Sequence, residues 1–245
     1  MHRNCFLNYY KGHRDKVTSL SLSPVSDLIV STSLDGTARF WDMATSRCQG
    51  RINVSQHSAG AFDPSGRVLA VVSDTPKEHI SSRNMIGMDV LLYDIRRFEE
   101  GPFCKKTLEL RESSPTLYSC VSVQFSNDGK SILISTDKDS LFMVDGFLKE
   151  DVPVRELSCS KEHRMTSLVH PAFSPDDKAV VAGTDDGALA IWNVGSGDMS
   201  VRENVFLSKP LIINAHPLPI NAVSYNPRYN MLASGCACVG LWLPN

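Results

Sequence analysis

Few residues in this 245-residue chain carry types and spacings that could do chemistry. Cysteines 236 and 238 stand two apart, a spacing that on a strand turns both thiols to one face of the sheet. A soft metal could sit there only if partner ligands converged from elsewhere. No other Cys or His pair offers itself, so the two read as buried strand thiols. His163 in KEHRM and His170 in LVHPAF are conceivable ligands, but one falls near a predicted loop and the other in a predicted strand. A hydrolase would need a nucleophile with a base and an orienting group, or a metal shell. The chain has no Gly-x-Ser-x-Gly, no Gly-x-x-x-x-Gly-Lys-Ser/Thr and no His-Glu-x-x-His. Its Asp-Gly pairs, beginning at 35, 128 and 186, fall where tight turns are required. The expectation is a protein that is not an enzyme, with no catalytic residue, metal or cofactor.

The remaining chemistry is recognition of charge. Arg14, Lys16, Lys77, Arg83, Lys161 and Arg164 lie near predicted loops and could make charge-assisted contacts to phosphate, although singly each reads as a solvated loop cation. The chain as a whole is balanced, with 25 basic against 27 acidic residues. It therefore lacks the field of a protein that coats nucleic acid or anionic lipid, and direct DNA binding is not expected. The longest weakly polar stretch, Met231 to Pro244, is broken by Ser234, Gly235 and Gly240, whereas a spanning helix needs roughly 20 apolar residues. The N-terminal MHRNCFLNYYKGH has no apolar run of signal-peptide length. Seven scattered cysteines, with no Cys-x-x-Cys, indicate a reducing compartment and core thiols.

The elements that must position these residues repeat. SLSPVSD, AFDPSGR, QFSNDGK, AFSPDDK and SYNPRYN each combine a strand end with a turn. Each is followed by a run dense in Val, Ile, Leu and Ala: DLIVSTS, RVLAVVS, KSILIST, KAVVAGT and NMLASGC. That enrichment predicts buried strands. A tight turn and a further strand close each unit at Trp41, Tyr93, Val144, Trp192 and Trp242. The chain thus reads as all-β, one domain of five four-stranded antiparallel units over about 12–54, 55–108, 109–158, 159–208 and 209–245, the last completed by a strand at 4–10.

Units of this length, with Gly-His before the first strand and Trp-Asp ending the third, resemble the blades of WD-repeat (WD40) β-propellers. The resemblance implies a hydrogen-bonded chain within the best-formed unit, assigned to His13, Ser33 (or Ser31), Asp35 and Trp41. Five units close as a propeller if the two termini share a blade, or form part of a seven-bladed arc. The stretches SRCQG, FDPSGRVLA, LYDIRRFEEGPF, FSNDGKSILIST and LASGCACVGLWLP further resemble the family of WD-repeat subunits shared by the COMPASS histone lysine methyltransferase complex and a nuclear type 1 protein phosphatase complex. That likeness implies a nuclear scaffold that holds subunits of a histone methyltransferase complex. The alternatives are a phosphopeptide reader of the RNA polymerase II tail, or a scaffold of a phosphatase or RNA 3′-end-processing complex acting in transcription termination. The segment Asp74 to Met88 is about ten residues longer than the family's turn and reads as an exposed loop. With Lys77, His79, Arg83 and Met85, it joins Arg14, Lys16, Lys161 and Arg164 as the candidate partner-binding set.

Overall fold

A computed structural model of the protein describes residues 8–74, 85–111, 119–160, 162–166, 170–195, 209–226 and 229–243. They form five antiparallel sheets in chain order. Blade 1 comprises β1 (Val17–Leu22), β2 (Leu28–Ser33), β3 (Thr37–Asp42) and β4 (Cys48–Asn53). Blade 2 comprises β5 (Ala59–Phe62), β6 (Val68–Asp74), β7 (Met85–Asp94) and β8 (Cys104–Arg111). In blade 3, β9 (Cys120–Phe125), β10 (Ser131–Thr136), β11 (Ser140–Asp145) and β12 (Arg155–Ser158) pair in turn. Blade 4 has β13 (Ala172–Phe173), β14 (Ala179–Gly183), β15 (Ala188–Asn193) and β16 (Leu211–Asn214), and blade 5 has β17 (Ala222–Tyr225), β18 (Leu232–Gly235) and β19 (Val239–Trp242).

In blades 2, 3 and 4 the repeated turn phrase places a residue of positive φ (Gly66, Gly129 and Asp177) at the same point, and short polar side chains hold the backbone around it. Asp63 accepts from the N–H groups of Arg67 and Val68, and Gly66 takes the φ of +67° that this turn needs. In blades 3 and 4 the hydroxyls of Ser126 and Ser174 bond Asp128 and Asp176. Asp177 reaches between those blades, accepting from the N–H groups of Asn127 and Asp128 at 2.8 and 2.9 Å.

The hydrophobic core is divided among the junctions between successive blades. Four apolar clusters join blades 1 to 2, 2 to 3, 3 to 4 and 4 to 5. This explains why β10 and β11 are buried along their whole length while β1 and β19 are not: the middle strands are covered on both faces. At the ends, Leu20 and Leu22 of β1 are 71% and 63% exposed, and Val239 and Leu241 of β19 are 76% and 67% exposed. Blades 1 and 5 thus expose apolar side chains of the kind that the middle blades cover at their junctions. The inner strands β1, β5 and β9 line a cleft of about 360 Å³ with His170 at its side.

Two details depart from the sequence reading, and a third lies mostly outside the described residues. The fourth strand of blade 4 is Leu211–Asn214, beyond the expected boundary at 208, because fourth strands carry no marker residue and are recognised only by their pairing with the third. Met85 to Met88 belong to β7 and not to an exposed loop: Met88 pairs with Asp74 and is fully buried, and Met85 pairs with Arg111. The pairing assigned to residues 4–10 falls mostly outside the described residues. Of the remainder, the Asn8 side chain donates to Ser46 and the Tyr10 ring packs edge-on against Trp41, both in blade 1.

Candidate interaction rim

The polar chain in blade 1 runs through four side chains. The Trp41 indole N–H donates to Ser31 Oγ at 2.7 Å, and the Ser31 hydroxyl meets His13 Nε2 at 2.7 Å. His13 Nδ1 lies 2.9 Å from Asp35 Oδ2. A carboxylate can only accept, so Nδ1 carries the proton, Nε2 accepts from Ser31, and every donor points one way. The serine in this chain is Ser31. Ser33 instead donates to the Asp15 carbonyl and accepts from the Asp35 N–H, bracing the turn. Both serines lie on the same face of β2, and the indole reaches diagonally to the one farther from the turn, opposite Arg39.

Burial of Asp35 works against its charge. Hydrogen bonds from the Thr37 hydroxyl, the Arg14 N–H and the His13 ring outweigh that effect and hold its carboxyl well below the usual range. These bonds tie the polar chain to the rim, since the Arg14 backbone is fixed to Asp35 Oδ2 at 3.0 Å. The exposed side chains of Arg14 and Lys16 thus project from a pinned loop ahead of β1.

Blade 4 keeps part of the arrangement. His163 Nδ1 meets Asp186 and the Thr184 hydroxyl donates to it, but Ala182 stands where blade 1 has Ser31, counting ten residues back from the tryptophan. Arg164 follows His163 as Arg14 follows His13; it is exposed, with its Nε 3.9 Å from Asp139. Of the remaining candidates, Lys77, His79, Arg83 and Lys161 lie outside the described residues, and Met85 is placed only by its strand pairing.

Sequence reasoning missed two features. Asp74 ends β6 with a carboxylate oxygen that is buried and, among the described residues, without a hydrogen-bond partner. Burial pushes its pKa up to about 6, His57 draws it down and Asp137 adds to the rise. The thiols were also expected in the core, yet among the described cysteines only Cys120 is buried, and Cys236 and Cys238 sit in the β18–β19 turn. Only the tertiary fold could show that His216 lies beside them.

The comparisons with known proteins agree with this architecture. The family model described as "WD domain, G-beta repeat" matches residues 4–42 and 152–193. WD repeat-containing protein 82 of Drosophila melanogaster is 34% identical over 245 residues, which cover all of this chain and 68% of that protein. The Set1 complex component swd2 of Schizosaccharomyces pombe is 28% identical, over 98% of this chain and 71% of its own length. COMPASS component SWD2 of Saccharomyces cerevisiae is 27% identical, over 98% and 68%. Five sheets packed face to face, a His–Ser–Trp chain inside the first, and identity along the full length have one explanation: the chain belongs to the WD-repeat protein family.

Proposed function

We propose that the chain is a non-catalytic scaffold subunit of a nuclear, COMPASS-type histone lysine methyltransferase complex. The observation that carries this reading is the likeness, over 98% of the chain, to two proteins named as components of the Set1 and COMPASS complexes. The structure supports it in two ways. The blades meet through clusters of buried apolar side chains, which suits a part that positions several partners by shape and buried anchors. The lining of the central cleft offers hydroxyls, apolar groups and the single imidazole of His170, a poor set from which to build a nucleophile with its base.

Affinity purification of the full chain from nuclear extract tests the proposal. Methyltransferase activity towards histone lysines is expected to follow the protein and to resist a wash with phosphorylated polymerase-tail peptide. Elution of the partners by that peptide would favour the phosphopeptide-reading alternative, in which Arg14, Lys16 and Arg164 meet phosphate. An eluate without methyltransferase activity would contradict the scaffold reading.

A further inference from the structure

The chain of blade 5 is rebuilt with sulfur. Trp242 Nε1 donates to Ser234 Oγ at 2.8 Å, and His216 Nε2 lies 2.7 Å from the same hydroxyl, as in blade 1. Counting from the tryptophan and from the serine, Cys238 takes the place of Thr37 and Cys236 that of Ser33. Ala237 alone replaces the Leu34–Asp35–Gly36 turn, so the carboxylate partner of the imidazole is lost. Two thiols take its place. His216 Nδ1 lies 3.2 Å from Cys236 Sγ and 3.4 Å from Cys238 Sγ, and the sulfurs are 3.5 Å apart. His216 and Cys236 are half-buried and Cys238 is exposed, which leaves an entry path on one side.

We propose that His216, Cys236 and Cys238 form a binding site for a thiophilic d10 ion, Zn2+ or Cu+, with an open position towards solvent. Bond lengths of about 2.3 Å to sulfur and about 2.0 Å to imidazole at a tetrahedral centre separate two sulfurs by about 3.8 Å and sulfur from nitrogen by about 3.5 Å. The observed triangle is shorter by a few tenths of an ångström, an expansion within reach of a three-residue turn. Binding forms two bonds to sulfur and one to Nδ1, and the two thiol protons leave to solvent. The imidazole proton resides on Nε2, which donates to Ser234 Oγ while that oxygen also accepts from Trp242. A hydroxyl with two lone pairs satisfies both, and the serine becomes the outer group that orients the ligating ring. Glycine at 240 keeps this arrangement open: a Cβ there would lie 3.1 Å from Trp242 Nε1 and 3.3 Å from both His216 Nε2 and Ser234 Oγ.

The test uses the full chain, reduced and kept under anaerobic conditions. Titration with Co2+ is expected to give one equivalent bound with a thiolate-to-cobalt charge-transfer band, which Zn2+ then displaces. Parallel competition against chromophoric chelators for Zn2+ and for Cu+ identifies the preferred ion. Cys236→Ser with Cys238→Ser is expected to weaken binding about 100-fold or more, since affinity depends on deprotonated ligands, whereas Cys48→Ser leaves it unchanged. Ser234→Ala is expected to cost about 10–100-fold through the orienting bond. Should the double variant fail to fold, alkylation of the wild-type chain decides, because bound metal must slow modification of Cys236 and Cys238 but not of exposed Cys48. Absence of the charge-transfer band, binding equal in the wild type and the cysteine variant, or alkylation that metal does not slow would overturn the site.

Discussion

Trp192→Ala is expected to destabilise the protein by about 3–5 kcal/mol, measured by urea unfolding. The ring is 1% exposed and sits among Leu133, Leu141 and Met143 of blade 3 and Phe173 and Val180 of its own blade. Its removal leaves a void that neighbours on four strands cannot all close. A chain of this kind has about 5–15 kcal/mol of stability in all, so the loss is a large share of it. Trp242→Ala is the internal comparison. That indole is half-buried at the edge of the blade 4–5 cluster, and its loss is expected to cost less than half as much. Equal costs at the two positions would show that depth of burial within a blade junction does not set the loss.

Asp35→Ala is expected to cost about 2–4 kcal/mol at neutral pH, because it leaves the His13 Nδ1–H, the Thr37 hydroxyl and the Arg14 N–H without their acceptor. The pH dependence has a definite sign. The folded carboxyl titrates below its unfolded value of 3.8, so its contribution is fully present above that value and is lost as pH falls further. The difference between wild type and Asp35→Ala should therefore be constant from neutral pH down to about 5 and shrink below about 4. A difference that grows on acidification would contradict the assignment. Asp74 has the opposite sign: its raised pKa means that the folded state tolerates its charge poorly, and the associated cost appears as pH rises towards 6.

The sequence made the second and third strands of each blade legible because they announce themselves twice, by an Asp, Asn or Gly turn and by apolar density. β2, β10, β14 and β18 fall within the predicted runs, and β6 passes the end of its run by one residue, Asp74. Fourth strands do neither, which is why β16 was misplaced; the start of β7 was missed because polar residues precede its apolar run, and only its pairing with β6 and β8 extends it back to Met85. Choosing between Ser31 and Ser33 required side-chain reach, since strand alternation puts both on one face. The cysteine pair was misjudged for a related reason. Its spacing was read as continuous strand, but the hairpin in blade 5 is two residues shorter than in blade 1, and the turn lifts both thiols out of the sheet towards a histidine 20 residues earlier. The shortening is visible in the sequence as a separation of eight positions from Ser234 to Trp242 against ten from Ser31 to Trp41. It has meaning only once the serine that binds each tryptophan is known.

The scaffold reading is tested most directly in cells depleted of this protein, by quantitative mass spectrometry of histone lysine methylation. Methylation is predicted to fall on depletion and to return with the wild-type chain but not with Trp192→Ala, whose blade junction is broken. Methylation that stays at its normal level after depletion would contradict the account.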